Sequence, residues 1–304
     1  MPPTAVAVVG PTAAGKSTVA LAAARALGDV EVVVVDALQV YRGMDIGTAK
    51  PTPAERAEIP HHGLDLAEPS EEVTVVRYLR AYDDAVAGIA ARGHRPLLVG
   101  GTGLYVRAAV DRLEPPGEWP AVRPDLELEL DTTVLHAQLQ RLDPAAAARM
   151  EPTNRRRVVR ALEVTIGSGR PFSSFGAGLD RYPAAGIVQI GLRWSRADLQ
   201  DRIEARFAEM LAAGFVDEVS HLAAGPAPPS RTARQAIGYA ELLDYVAGRC
   251  PLDEAISRAV RRTRRLAVRQ ERWFRRDPRV HWVDISTDPL DAIPAVLGAL
   301  AACV

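Results

Sequence analysis

The stretch Ala5-Val6-Ala7-Val8-Val9-Gly10-Pro11-Thr12-Ala13-Ala14-Gly15-Lys16-Ser17 decides how this chain folds. Residues 10–17 read G-x-x-x-x-G-K-S, a spacing that wraps backbone amides around phosphate groups. The apolar run before it, Ala5 to Val9, reads as a buried parallel strand. The Ala- and Leu-rich run after it, Ser17 to Leu27, reads as a helix. Strand, glycine loop and helix N-terminus in that order aim amide donors and a partial positive charge at a bound anion. The lysine is itself a signal. Of 37 basic residues only Lys16 and Lys50 are lysines, and the rest are arginines. A compact ammonium on a flexible stem follows a phosphate into a narrow loop more easily than a planar guanidinium does. A glycine-rich turn that binds nothing has no need of Lys-Ser behind it.

With 304 residues, the chain has material for one large domain or two modest ones. No run of eighteen apolar residues predicts a membrane span. Met1-Pro2-Pro3-Thr4 lacks the basic and apolar regions of a secretory signal. Cys250 and Cys303 are too few and too far apart for a disulfide framework or a zinc site. The expectation is a cytoplasmic monomer with no membrane contact. The formal net charge of −1 argues against a polyanion partner, but its distribution argues otherwise. Asn154 to Arg160 carries four arginines in seven residues, and Arg258 to Arg276 carries nine against one acid, Glu271. On a helix Arg258, Arg262, Arg265, Arg269, Arg272 and Arg276 form one stripe, with Val260, Thr263, Ala267 and Phe274 opposite. Two readings stand: a basic face for a polyanion, or a solvated face paired with acids such as Glu127 or Glu129.

Glu31 to Val35 reads as a second buried strand, ending at Asp36. Ser70 to Ala91 reads as a helix with Tyr78 and Tyr82 on one side. Pro96 to Val99 reads as a third strand, closing on Gly100-Gly101-Thr102-Gly103. Alternating strands and helices imply a parallel sheet with right-handed crossovers. Leu113-Glu114-Pro115-Pro116-Gly117 breaks the pattern. From Trp119 to Gly169 only helical patterns follow, one of them Asp143 to Met150. Phe172 to Tyr182 reads as a loop and Gly186 to Leu192 as a strand. The rest reads helical apart from a short run at Val280 to Val283. The expected fold is α/β: a P-loop NTPase-like parallel-sheet core over residues 1–115 and 187–304, with a helical insertion over 116–186.

In open α/β sheets, ligands bind beyond the carboxyl ends of the strands. The loop after the first strand, Asp36, and Gly100-Gly101-Thr102 should therefore face one crevice. Asp36 suits a metal ligand of a kinase or ATPase, a general base beside the phosphates, or a turn residue. Thr102 either orients a nucleophile or caps the next helix. His61-His62 reads as packing, because adjacent side chains diverge and no Cys or third His lies near. On these residues a nucleotide or small-molecule kinase ranks first. A GTPase-like RNA-binding module fares poorly, since no lysine remains for a guanine-reading N-K-x-D string.

Longer strings add a resemblance. Residues 10–17 resemble the P-loop of the tRNA dimethylallyltransferases, also called tRNA isopentenyltransferases. Asp36-Ala37-Leu38-Gln39-Val40-Tyr41-Arg42-Gly43-Met44-Asp45-Ile46-Gly47-Thr48-Ala49-Lys50-Pro51 is similar to a far more specific motif of that family. His61-His62 with Asp65, Val99 to Tyr105, Arg157 with Arg160 to Glu163, Ile237-Gly238-Tyr239, and Arg269-Gln270 with Trp273-Phe274-Arg275 also fit. The resemblance spans residues 5 to about 285. The sequence departs from the usual pattern at Ala37, where Ser is common, at Ala240, where a basic residue is common, and at Arg156 and Arg265, where Gln is common. Lacking the zinc-finger extension of eukaryotic relatives, it resembles the bacterial type.

The resemblance implies transfer of a dimethylallyl group from dimethylallyl diphosphate to N6 of the adenine 3′ of the anticodon in tRNA. It implies tRNA contacts at Asp36, Ala37, Leu38 and Gln39, at Thr102 and Arg123, at Arg156, Arg157, Val158, Val159 and Arg160, and at Gln235, Ala236, Ile237, Gly238, Tyr239 and Ala240. For that reaction the expected diphosphate or nucleotide site is Gly10, Pro11, Thr12, Ala13, Ala14, Gly15, Lys16, Ser17 and Thr18. Arg202 and Arg206, at i and i+4 on an expected helix, are further clamps. Ser17 would hold Mg2+, and Lys16 would stabilise the leaving group. Asp36 is the expected base for the N6 proton and Thr102 the group that orients N6.

Overall fold

The computed structural model describes residues 4–175 and 181–303, so the expected loop between Phe172 and Tyr182 lies partly outside the described residues. Two compact units result, Met1–Asp111 with Ala184–Val304, and Arg112–Pro183. The first is built on β1 (Ala5–Val9), β2 (Val30–Val34), β3 (His61–His62), β4 (Arg95–Gly100), β5 (Ile187–Trp194) and β6 (Val280–Ile285). These pair in the order β3-β2-β4-β1-β5-β6, every pair parallel. The helices are α1 (Lys16–Leu27), α2 (Pro53–Glu58), α3 (Val75–Ala91), α4 (Gly103–Val110), α5 (Arg123–Leu128), α6 (Thr132–Leu142), α7 (Pro144–Ala147), α8 (Arg155–Ser168), α9 (Arg196–Ala212), α10 (Phe215–Ala223), α11 (Arg231–Arg234), α12 (Tyr239–Val246), α13 (Leu252–Arg275) and α14 (Ile293–Ala301).

The near-continuous apolar strands are those of a sheet covered on both faces. Alternate residues feed opposite cores. Ala5, Ala7, Val9, Val33 and Leu98 pack with Tyr78 and Tyr82 of α3, Tyr105 of α4, Phe215 of α10 and Tyr239 of α12. Val6, Val8, Val32, Val34, Leu97 and Val99 pack with Val19 of α1, Leu199 and Ile203 of α9, and Val296 and Leu300 of α14. The second unit has its own core of Leu126, Leu135, Leu139, Val158, Val159 and Leu162.

Several boundaries differ from the sequence reading for local reasons. The α3 helix starts at Val75, not Ser70, because the Thr74 side chain accepts from the Arg77 amide and caps it there. The stretch Asp143 to Met150 yields only the four-residue α7, with the Asp143 carboxylate capping Ala146. Helix α2 arises from a capping box between Thr52 and Glu55 with Pro53 behind the cap. His61 and His62 form the edge strand β3. His62 Nε2 lies 2.6 Å from Glu31 Oε2, and His61 Nδ1 lies 2.7 Å from the Ile59 carbonyl oxygen. Glu31 also accepts two bonds from Arg92, and these partners hold its carboxyl down at about 2.

Candidate active site

Because β4 lies between β2 and β1, three strand ends meet at one edge of the sheet. The loop after β1 turns sharply into α1. Gly15 sits at φ +87°, and a Cβ there would lie 2.4 Å from the Pro289 ring, so only glycine suits the turn. The N-cap of α1 is this glycine, and no side chain caps the first turn, which leaves its amides for a ligand. The loop carbonyls are turned into the protein. Lys16 Nζ donates to the Pro11 oxygen at 2.7 Å, Arg202 Nε to Ala13 at 2.8 Å, and Trp194 Nε1 to Ala14 at 3.0 Å. Arg202 stacks on Trp194, 4.3 Å from the ring centre. Arg206 Nη1 donates to Thr12 Oγ1 at 3.3 Å.

Three cations thus share the phosphate loop. Burial, reinforced by the like charge of Arg206 and opposed by Asp36, draws the Lys16 ammonium down to about 7. Burial also holds the Arg206 guanidinium below its ordinary range. Positive charge that is this poorly compensated favours an anion in the loop.

Asp36 follows β2. Its Oδ1 accepts the Leu38 amide at 2.8 Å and the Gln39 amide at 3.3 Å, an Asx turn that fixes the carboxylate. Its Oδ2 accepts from Thr102 Oγ1 at 3.3 Å. The Ala37 amide donates to the same Thr102 oxygen at 3.2 Å. Thr102 occupies the N-cap position of α4 but makes no capping bond, so the capping role considered for its hydroxyl is not the one it plays. The contact from residue 37 is made by its backbone, so an alanine there retains it.

Gln270 of α13 joins the two loops. Its Oε1 accepts the Thr12 amide at 2.8 Å and its Nε2 donates to the Gly101 oxygen at 2.9 Å. Trp194 and Gln270 went unassigned in the sequence reading, as did Glu218. Gln270 stood in the family-like string Arg269-Gln270 with Trp273-Phe274-Arg275, but carried no role there. Glu218 accepts amides from Asp45, Ile46 and Gly47 at 2.7–3.1 Å and the Tyr239 hydroxyl, holding the loop beyond Asp36. Lys50, the second lysine, is buried between Asp45 and Asp65 at 2.7 and 2.6 Å.

The remaining expected positions divide. Gln235 is exposed and Ile237 and Ala240 are partly so, while Ala236 and Tyr239 are buried. In the second unit Arg156 and Arg157 are exposed on α8, and Val158 and Val159 lie in its core. Arg123 and Arg160 both bond the buried carboxylate of Glu163, at 3.3 and 2.8 Å. Glu127 pairs with Arg123, and the stripe on α13 meets Asp244 and Glu254 at Arg258 and Glu241 at Arg262.

Ser17 is exposed on the first turn of α1. Among the described residues no cluster of three or more His, Cys, Asp or Glu is placed to hold an ion. One hydroxyl donor suits a hard cation that completes its shell with phosphate oxygens and water, as Mg2+ does. No helix among the described residues is long and apolar enough to cross a membrane.

Two family profiles match, one described as IPP transferase over residues 39–277 and one as isopentenyl transferase over residues 3–61. A Kineococcus radiotolerans protein named tRNA dimethylallyltransferase is 50% identical over 305 residues, covering 97% of this chain and 96% of its own. A Streptomyces coelicolor protein of the same name is 49% identical, with 92% and 90% covered. The solved tRNA isopentenylpyrophosphate transferase of Bacillus halodurans superposes with a TM-score of 0.70 at 38% identity, over 98% of this chain and 95% of that one. A eukaryotic dimethylallyltransferase acting on tRNA superposes with a TM-score of 0.77 at 25% identity, over 93% and 74%. The architecture is a P-loop NTPase-like α/β fold. With its phosphate loop, its Asp36–Thr102 pair and full-length relatives of near 50% identity, the chain belongs to the IPP transferase family.

Proposed function

We propose that this chain transfers a dimethylallyl group from dimethylallyl diphosphate to N6 of the adenine 3′ of the anticodon in tRNA, with release of diphosphate. The observation that carries the reading is the juxtaposition of a three-cation phosphate loop after β1 with a carboxylate and a hydroxyl, bonded at 3.3 Å, that follow β2 and β4. The C–O bond to diphosphate breaks as the bond from carbon to N6 forms. The adenine amino lone pair is delocalised into the ring, so removing its proton as the bond forms lowers the barrier. Asp36 Oδ2 takes that proton, while Oδ1 stays tied to the Leu38 and Gln39 amides. The Thr102 hydroxyl, held by the Ala37 amide, orients N6. Negative charge grows on the leaving oxygens, and Lys16, Arg202, Arg206 and the free amides of the first turn of α1 stabilise it. Mg2+ held by Ser17 would supply further neutralisation of the diphosphate.

The adenine must leave its stack to reach Asp36. Arg156 and Arg157, exposed on α8, suit tRNA phosphates better than Arg123 and Arg160, whose guanidinium groups are engaged with Glu163. A tRNA substrate places the protein in the cytoplasm. Purified protein given tRNA and labelled dimethylallyl diphosphate should move the label to RNA. Transfer of the terminal phosphate of labelled ATP to a small molecule, with unlabelled RNA, would instead make it a kinase.

A further inference from the structure

Strands β1 and β4 pair as far as Val9 opposite Gly100. Past that pair the two chains part, one into the phosphate loop and the other toward Thr102. Among the described residues no backbone hydrogen bond joins residues 11–15 to residues 101–103. The sheet thus stops setting their separation just where a leaving group and the Asp36–Thr102 pair have to be held in line. Gln270 spans the gap, accepting the Thr12 amide and donating to the Gly101 oxygen. Only one orientation of its side-chain amide satisfies both ends, because the reverse sets N–H against N–H and oxygen against oxygen. An arginine, the residue that recurs nine times between Arg258 and Arg276, has no acceptor and would strand the Thr12 amide.

The bridge continues on both sides. Thr12 Oγ1 accepts from Arg206, one of the three cations of the phosphate loop. The Gly101 carbonyl belongs to the peptide that leads into Thr102, whose hydroxyl donates to Asp36 Oδ2. One hydrogen-bonded path therefore runs from Arg206 through Thr12, Gln270 and the peptide between residues 101 and 102 to the base. The fit is tight: a Cβ on Gly101 would lie 2.6 Å from Gln270 Nε2 and 3.2 Å from the Gly10 oxygen. Three residues on, along the same face of α13, the Trp273 ring backs Gly103 on the far side of Thr102. Both ends of the Gln270 amide are occupied by protein, so it acts through its neighbours and not on a substrate.

We propose that Gln270 is a positioning residue that fixes the phosphate loop against Thr102 and Asp36, so that the diphosphate ester and N6 meet in reactive alignment. The inference rests on the transfer reaction proposed above. Alignment of this kind governs the rate of the bound complex more than its formation, and a displacement of about 1 Å costs up to about a hundredfold. In Gln270→Met, single-turnover transfer at saturating substrates should fall about 10- to 100-fold, while the affinities for dimethylallyl diphosphate and for tRNA, measured separately, stay within about threefold. Retained affinity also shows the variant to be folded. Gln270→Glu keeps the acceptor for Thr12 but loses the donor for Gly101, and should fall nearly as far. Gly101→Ala gives an independent perturbation, since its methyl group displaces the end of a flexible side chain. It should slow transfer about tenfold alone and less than about twofold in the Gln270→Met background, because both changes break one bridge. Wild-type transfer rates in Gln270→Met or Gln270→Glu, even with lowered thermal stability, would make Gln270 a brace for α13 and overturn the proposal. So would a loss confined to affinity, or full additivity of Gly101→Ala with Gln270→Met. In each of these cases a wild type that labels tRNA leaves the proposed reaction standing, whereas a wild type that labels no tRNA removes the reaction and the positioning role together.

Discussion

Above neutral pH, dimethylallyl diphosphate should bind this protein progressively less well. In the free site, burial and the neighbouring Arg206 draw Lys16 down to about 7. A bound diphosphate sets negative charge against the ammonium, so the complex keeps Lys16 protonated at a pH where the free protein has lost that proton. The sign follows. Below pH 7 the lysine is already charged and affinity is flat. Above it, affinity falls about tenfold, or ~1.4 kcal/mol, for each pH unit. At pH 9 the loss relative to the plateau should approach about a hundredfold. The same lowered pKa means that stability of the free protein rises with pH between about 7 and the ordinary lysine value of 10.5, where the unfolded chain holds a proton that the folded one does not. Titration calorimetry without tRNA, at constant ionic strength, measures the binding profile. Lys16→Met should bind weakly at every pH with no inflection, and Arg206→Met should move the inflection upward. A flat wild-type profile, or an inflection that survives in Lys16→Met, would refute the reasoning.

Asp36→Asn retains an acceptor for the Leu38 and Gln39 amides, so tRNA affinity should stay within a few-fold while single-turnover transfer falls about 10²-fold or more; quenched-flow assays separate the two. Gly103→Ala would press a methyl group to within 2.3 Å of Trp273, and urea unfolding should show a loss of about 1 to 3 kcal/mol. Glu218→Ala strands the amides of Asp45, Ile46 and Gly47 together with the Tyr239 hydroxyl, and should cost about 3 kcal/mol or more in the same assay.

The parts of the fold legible in the sequence are those specified within a few residues. Strand β1, its glycine loop and α1 follow from an apolar run, two glycines and an alanine-rich segment, and β2 and β4 from runs of Val and Leu. Strand β3 was not legible, because two histidines carry no apolar pattern and pair with β2 only through its Val32 and Val33. The strand order is likewise a tertiary fact. Asp36 and Thr102 were found because each ends a strand, but their contact joins residues 66 apart in sequence. The bridge from Gln270 to Thr12 spans 258 residues, and the string around Gln270 does not name Thr12 as its partner. Charge pattern misleads for a related reason. Arg157 and Arg160 are equivalent letters in one cluster, yet one is exposed and the other is bound to a glutamate in the next turn.

The most direct measurement of the central claim follows both products of one turnover. Protein in excess over a tRNA with an adenine 3′ of the anticodon is mixed with dimethylallyl diphosphate, the RNA is digested to nucleosides, and released diphosphate is counted. The account predicts one new nucleoside, adenosine carrying the dimethylallyl group on N6, formed mole for mole with diphosphate and lost in Asp36→Asn. Diphosphate released without any modified adenosine, or the group attached at another atom, would contradict it.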